Sequence, residues 1–195
     1  MPIRLGQQAD HGFDQPLGLL SDCHRRIEHF LEVLLMIAEQ AKGGPLSAAH
    51  RAQLEGALRY FATAAPRHTA DEEESLFPRL RASSDAAARA ALTLIGGLEQ
   101  DHAVAAEHHA AVDVLGRRWL ADNSLAAADV DQLRTRLHAL QTMYAQHIAV
   151  EDRELFPAAG RVLSAHELGD IGREMAARRN VTLMDDSSAG LKPRE

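Results

Sequence analysis

The chain writes one chemically loaded stretch twice. The first copy is His68-Thr69-Ala70-Asp71-Glu72-Glu73-Glu74-Ser75-Leu76-Phe77-Pro78, and the second is His147-Ile148-Ala149-Val150-Glu151-Asp152-Arg153-Glu154-Leu155-Phe156-Pro157. In both, Glu follows His by four positions and Leu-Phe-Pro follows in the same frame. Residues four apart on a helix share a face about one turn apart, so imidazole and carboxylate can reach one point. The proline lacks a donor and disfavours helical geometry before it, so each pair is expected at a helix end. Two such His–Glu claws are what a buried dinuclear metal site needs.

One such pair is weak evidence: with eleven histidines, a Glu four positions on arises about once by chance. His24–Glu28 is a third example. Two copies sharing a distal Leu-Phe-Pro are far stronger, because the accident must recur in frame. Without metal, the alternative is a set of core histidines and carboxylates buried together, and buried charge is costly unless paired or coordinated. Imidazole with carboxylate suits iron, manganese or zinc, and no thiolate is aligned to change that. Two carboxylates able to bridge argue for two ions, with iron the leading candidate.

The elements that must position these residues are helical. Leu17, Leu20, His24, Ile27, Leu31, Leu35 and Ala38 recur at helical spacing between Pro16 and Gly43-Gly44-Pro45. Ser47 can cap a second helix carrying His68 and Glu72, which Pro66 should kink or split. Ser83 or Ser84 caps a third, with Ile95, Leu98, His102, Ala106 and His109 aligned. Asn123-Ser124 opens a fourth, with Leu137, Leu140, Tyr144, His147 and Glu151 inward. The expected fold is all-α, an up-down-up-down four-helix bundle with a short extra C-terminal helix. Its divisions are a flexible arm at 1–13, the bundle at 14–160, the extra helix at 161–180 and a flexible tail at 181–195.

A net charge of -7 argues against nucleic acid or an anionic membrane as partner. No apolar run approaches the ~20 residues of a membrane span. The N-terminus has no apolar signal core, and a lone Cys23 forms no intrachain disulfide. A cytoplasmic setting is the expectation. There is no Walker loop, dinucleotide fingerprint, nucleophile elbow or H-E-x-x-H zinc signature.

With His24 on helix one, His68-x-x-x-Glu72 on helix two, His102 on helix three and His147-x-x-x-Glu151 on helix four, the chain resembles the hemerythrin-like (HHE cation-binding) domains over about residues 14–160. The resemblance implies two non-haem irons, oxo- or hydroxo-bridged, with zinc or manganese as substitutes. His24 and His68 would hold one, His102 and His147 the other, and Glu72 and Glu151 would span both. Two departures set the chain apart from the oxygen carriers. Ala106 stands where they have a second histidine on helix three, and Glu151 follows His147 by four where they have Asp at five. The pattern of four His and two Glu is closer to hemerythrin-like sensor domains and to many bacterial relatives.

The expected function is binding or sensing of oxygen, nitric oxide or iron. The alternative is a di-iron enzyme with catalase- or peroxidase-like or nitric-oxide-reducing activity. Expected partners are a small diatomic ligand or peroxide, with the chain a monomer or homodimer. Glu28 is one turn from His24 and could fill a coordination position, though a carboxylate that is solvated or that supports a ligand from behind is the simpler reading. Tyr144 is the nearest proton donor, and His109 is too far along the helix to share an ion with His102. Asp71, Glu73 and Glu74 read most simply as a solvated acidic face. Cys23 points away from the site.

Overall fold

A computed structural model describes residues 11–183, and every regular element among them is helical. Four long helices, α1 (Pro16–Ala41), α2 (Ala48–Ala70), α4 (Ala86–Asp122) and α5 (Ala127–Val150), each pack against two of the others in a ring. A short α3 (Phe77–Ala82) lies between α2 and α4, and α6 (Phe156–Val162) and α7 (Ala165–Arg178) follow α5. No described helix is long and apolar enough to cross a membrane.

The core shows how the helices run. One apolar cluster holds Leu20 near the start of α1, Leu76 and Leu80 beyond the end of α2, Leu98 in the first half of α4, and Leu155 beyond α5. A second holds Ile27 and Leu31, Leu58 and Phe61, Val112 and Trp119, and Leu137 and Leu140. The order of the clusters reverses from each long helix to the next, which is an up-down-up-down bundle. Between them lies one buried polar layer containing His24, His68, Glu72, His147 and Glu151.

Local chemistry sets the ends. Pro16 occupies the first turn of α1, where its missing N–H costs nothing. The connection to α2 begins with Lys42 and Gly43 in the left-handed region, and a Cβ on Gly43 would meet the Leu125 carbonyl oxygen at 2.3 Å. Glycine is therefore required there. Ser47 caps α2 as expected, accepting from the His50 N–H. The cap of α4 is Asp85, with Ser83 bonding the Asp85 N–H behind it. Asn123 does not open α5. It is the left-handed cap that ends α4, and α5 starts after Ala126.

None of Pro66, Pro78 and Pro157 splits or stops its helix. Pro66 lies inside an uninterrupted α2. Pro78 and Pro157 do not stop their helices either: the chain passes through a π-turn, Asp71–Leu76 in the first copy and Glu151–Leu155 in the second. The Phe77 N–H bonds the Glu72 carbonyl, and the Phe156 N–H bonds that of Glu151. This wider turn starts a new helical segment in whose first turn each proline sits, where it needs no donor.

Ser164 and Glu167 form a reciprocal capping box that starts α7, which packs against α1 and the first π-turn. A Cβ on Gly172 would meet the Phe13 carbonyl oxygen at 1.9 Å, so glycine lets α7 approach the segment before α1. Of the arm expected at 1–13, residues 1–10 lie outside the described residues, while His11 bonds Asp22. The expected tail lies outside them from residue 184 onward.

Candidate metal centre

The six residues singled out by spacing converge in the polar layer. His24, His68, Glu72 and Glu151 offer ligand atoms within 4.8 Å of one another, and so do Glu72, His102, His147 and Glu151. The two groups share both glutamates. One oxygen of Glu72 is 3.3 Å from His68 Nε2 and 4.0 Å from His24 Nε2, while the other is 3.3 Å from His102 Nε2. Glu151 Oε2 lies 3.0 Å from His24 Nε2 and 3.2 Å from His147 Nε2.

These approaches do not satisfy the groups that make them. Nε2 of His24 and His102 and all four carboxylate oxygens are buried without a hydrogen-bond partner. Such orphans are costly, and two carboxylates facing imidazole nitrogens across a few ångströms are the donor set of a cation. The residues present therefore fit a pair of ions. Burial and the neighbouring Glu151 charge push the Glu72 carboxyl well above its usual range. Burial also works against a charge on His24, but Asp152, Glu151 and Glu72 outweigh it and hold His24 up at about 10.

Sequence reading missed the groups behind the imidazoles. His24 Nδ1 is 3.0 Å from Asp152, His102 Nδ1 is 2.7 Å from Glu73, and His147 Nδ1 is 3.2 Å from Asp101. A carboxylate there fixes the proton on Nδ1 and aims Nε2 inward. The signal was available, because the residue after each motif Glu is acidic in both copies (Glu73 and Asp152) and Asp101 directly precedes His102. Glu73 is thus part of the site's surroundings and not only a solvated acid. Asp71 is no surface acid either. It is fully buried and paired with Arg178 and Arg179. Glu28 is exposed and outside both groups.

A cavity of about 430 Å³ lies against His102, with Phe61, Ala65, Thr69, Ala106, His109 and Tyr144 among its walls. His109 Nε2 and the Tyr144 hydroxyl are 3.1 Å apart. Burial holds the His109 imidazole down at about 4 and raises the Tyr144 phenol, so both are neutral near pH 7.

A model of the hemerythrin HHE cation binding domain matches residues 15–159. An uncharacterised protein of Haemophilus influenzae is 29% identical over 172 residues, which covers 87% of this chain and 92% of the relative. The chain belongs to the hemerythrin HHE cation-binding domain family.

Proposed function

From that membership as premise, we propose that the chain holds two ions of iron at a carboxylate-bridged centre and binds or senses oxygen, nitric oxide or iron there. His24 and His68 hold one ion, His102 and His147 the other, and Glu72 and Glu151 span both. The observation that carries this reading is the pair of ligand groups sharing both glutamates. Zinc or manganese fits the same donors. When bound, the irons supply redox chemistry and a position for a small ligand. The chain's own residues orient the imidazoles through Asp152, Glu73 and Asp101, and bury the centre between two apolar clusters. Residues 14–160 form the metal-binding unit, to which 161–180 add a helix. The acidic chain with its single cysteine suits a reducing cytoplasm.

The cavity against His102 favours a second reading, an enzyme acting on peroxide, oxygen or nitric oxide. Tyr144 is a protonated phenol on the cavity wall, hydrogen-bonded to a neutral histidine, and so is placed to give a proton to a molecule held there. Under this reading Tyr144→Phe lowers steady-state peroxide consumption. Under the sensing reading consumption is slight and the substitution leaves it alone.

Metal analysis with a visible spectrum, repeated after anaerobic reduction and re-oxygenation, tests the proposal. About two irons per chain with near-ultraviolet oxo-bridge absorption is the expected result. No bound metal, and no thermal stabilisation by ferrous iron, would reduce the chain to a plain bundle.

A further inference from the structure

Each site histidine has a second ring nitrogen, and one of the four differs from the rest. Three meet a carboxylate: His24 with Asp152, His102 with Glu73 and His147 with Asp101. The fourth, His68 Nδ1, is buried with no hydrogen-bond partner. The internal repeat shows what is missing. His102 and His147 face each other across α4 and α5 with ring centres 4.8 Å apart, and His24 and His68 do the same across α1 and α2 at 5.0 Å. In the α4–α5 pair, the residue before His102 is Asp101, and it holds His147. In the α1–α2 pair, the residue before His24 is Cys23.

Cys23 cannot do the work of an aspartate. It is buried, a thiol is only a weak hydrogen-bonding group with no carboxylate oxygens to offer an imidazole, and its sulfur already takes an N–H of Arg26 at 3.1 Å. A carboxylate on the far side of a ligating imidazole fixes its ring and raises its basicity, and losing that partner typically costs about 10- to 100-fold in metal affinity. The other candidate partner is also committed: Asp71, one turn from His68, is taken up by Arg178 and Arg179.

Resting on the dinuclear reading above, we propose that the two metal positions are unequal. The ion between His102 and His147 is held tightly, the ion between His24 and His68 is the exchangeable one, and Cys23 is the positioning residue responsible. The centre then responds to ambient metal through one position while the other keeps the bundle assembled.

The test loads the full chain with ferrous iron under exclusion of oxygen, adds excess ferrous chelator, and follows the coloured complex. Two release phases of similar amplitude, with rates about 10- to 100-fold apart, are expected. Cys23→Asp should slow the fast phase, with Arg26 beside the position to balance the added charge, whereas Cys23→Ser should leave it fast. Asp101→Cys, the reciprocal change, should speed the slow phase. It decides the matter alone if Cys23→Asp does not fold. A single phase overturns the inference, as does a fast phase unmoved by Cys23→Asp together with a slow phase unmoved by Asp101→Cys. Loading of fewer than about two irons per chain would instead sink the dinuclear reading itself.

Discussion

The two copies of the His–Glu–Leu-Phe-Pro stretch fold alike and are held in place differently. Each makes a π-turn over its glutamate and buries Glu, Leu and Phe. The first turn is gripped by α7. Asp71 accepts from Arg178 at 2.9 Å and from Arg179 at 2.6 Å, Ser75 accepts from Arg178 at 2.7 Å, and Arg79 pairs with Glu174 at 2.7 Å. In the second copy, Val150 stands in the place of Asp71, and Asp152 turns to α1, accepting from Ser21 at 2.7 Å and meeting His24. One glutamate is therefore steadied by a helix added after the bundle, and the other by the bundle itself. The local motif sets the geometry of a half-site, and its surroundings set how firmly that geometry is kept.

The largest effects should ignore this difference, because both glutamates face both ligand groups. Glu72→Ala and Glu151→Ala should each lower bound metal from about two ions per chain to one or none, measured by metal analysis after desalting. If one variant kept both ions, the glutamates would not be equivalent bridges.

Stability should separate the copies. Asp71→Ala leaves two arginines facing a buried gap, which typically costs about 3 kcal/mol. Val150→Ala removes only partly buried methyl groups and should cost about 1 kcal/mol. Urea unfolding of the metal-free variants measures both. Equal losses would mean that α7 does not secure the first turn.

Helical spacing made the convergence of His24, His68, Glu72, His102, His147 and Glu151 legible, since each needed only its own helix's period to face inward. Asp71 was misread because its partners lie more than a hundred residues away on α7, and nothing local marks a charge destined for burial. Pro78 and Pro157 were misread for a different reason. Their local rule is correct, but a π-turn satisfies it without ending the helix, and the cost of that turn is met by burying Leu76 and Phe77 or Leu155 and Phe156. Asn123 likewise has the chemistry of either helix end, and the left-handed backbone, not the residue type, decides between them.

A titration asymmetry follows at a similar scale. His109 lies two turns beyond His102, and the buried Leu31 lies two turns beyond His24. Burial, with a smaller contribution from His108, lowers His109 from 6.5 in the unfolded chain to about 4 in the fold. The unfolded chain therefore binds the extra proton first. Stability from this group is complete above about pH 6.5 and is lost as pH falls toward 4, by about 3 kcal/mol in all. His109→Leu, which makes the second half resemble the first, should remove that part of the acid loss. Metal-free protein melted at pH 7 and pH 4.5 would show it, and an unchanged pH slope would count against the burial argument.

The smallest effect tests the comparison most closely. Ser164 opens α7 with a reciprocal capping box, its Oγ accepting from the Glu167 N–H at 3.3 Å while Glu167 accepts from the Ser164 N–H at 2.8 Å. Ser164→Ala should cost about 1 kcal/mol, and it touches neither π-turn directly. If α7 steadies only the first copy, the loosened helix should pass its loss on unevenly. Amide exchange should speed up at Asp71–Leu76, whose Asp71 and Ser75 depend on Arg178 and Arg179 at the far end of α7, and should stay as it was at Glu151–Leu155. Equal acceleration at both turns would mean that α7 stabilises the bundle as a whole, and that the two half-sites share one support.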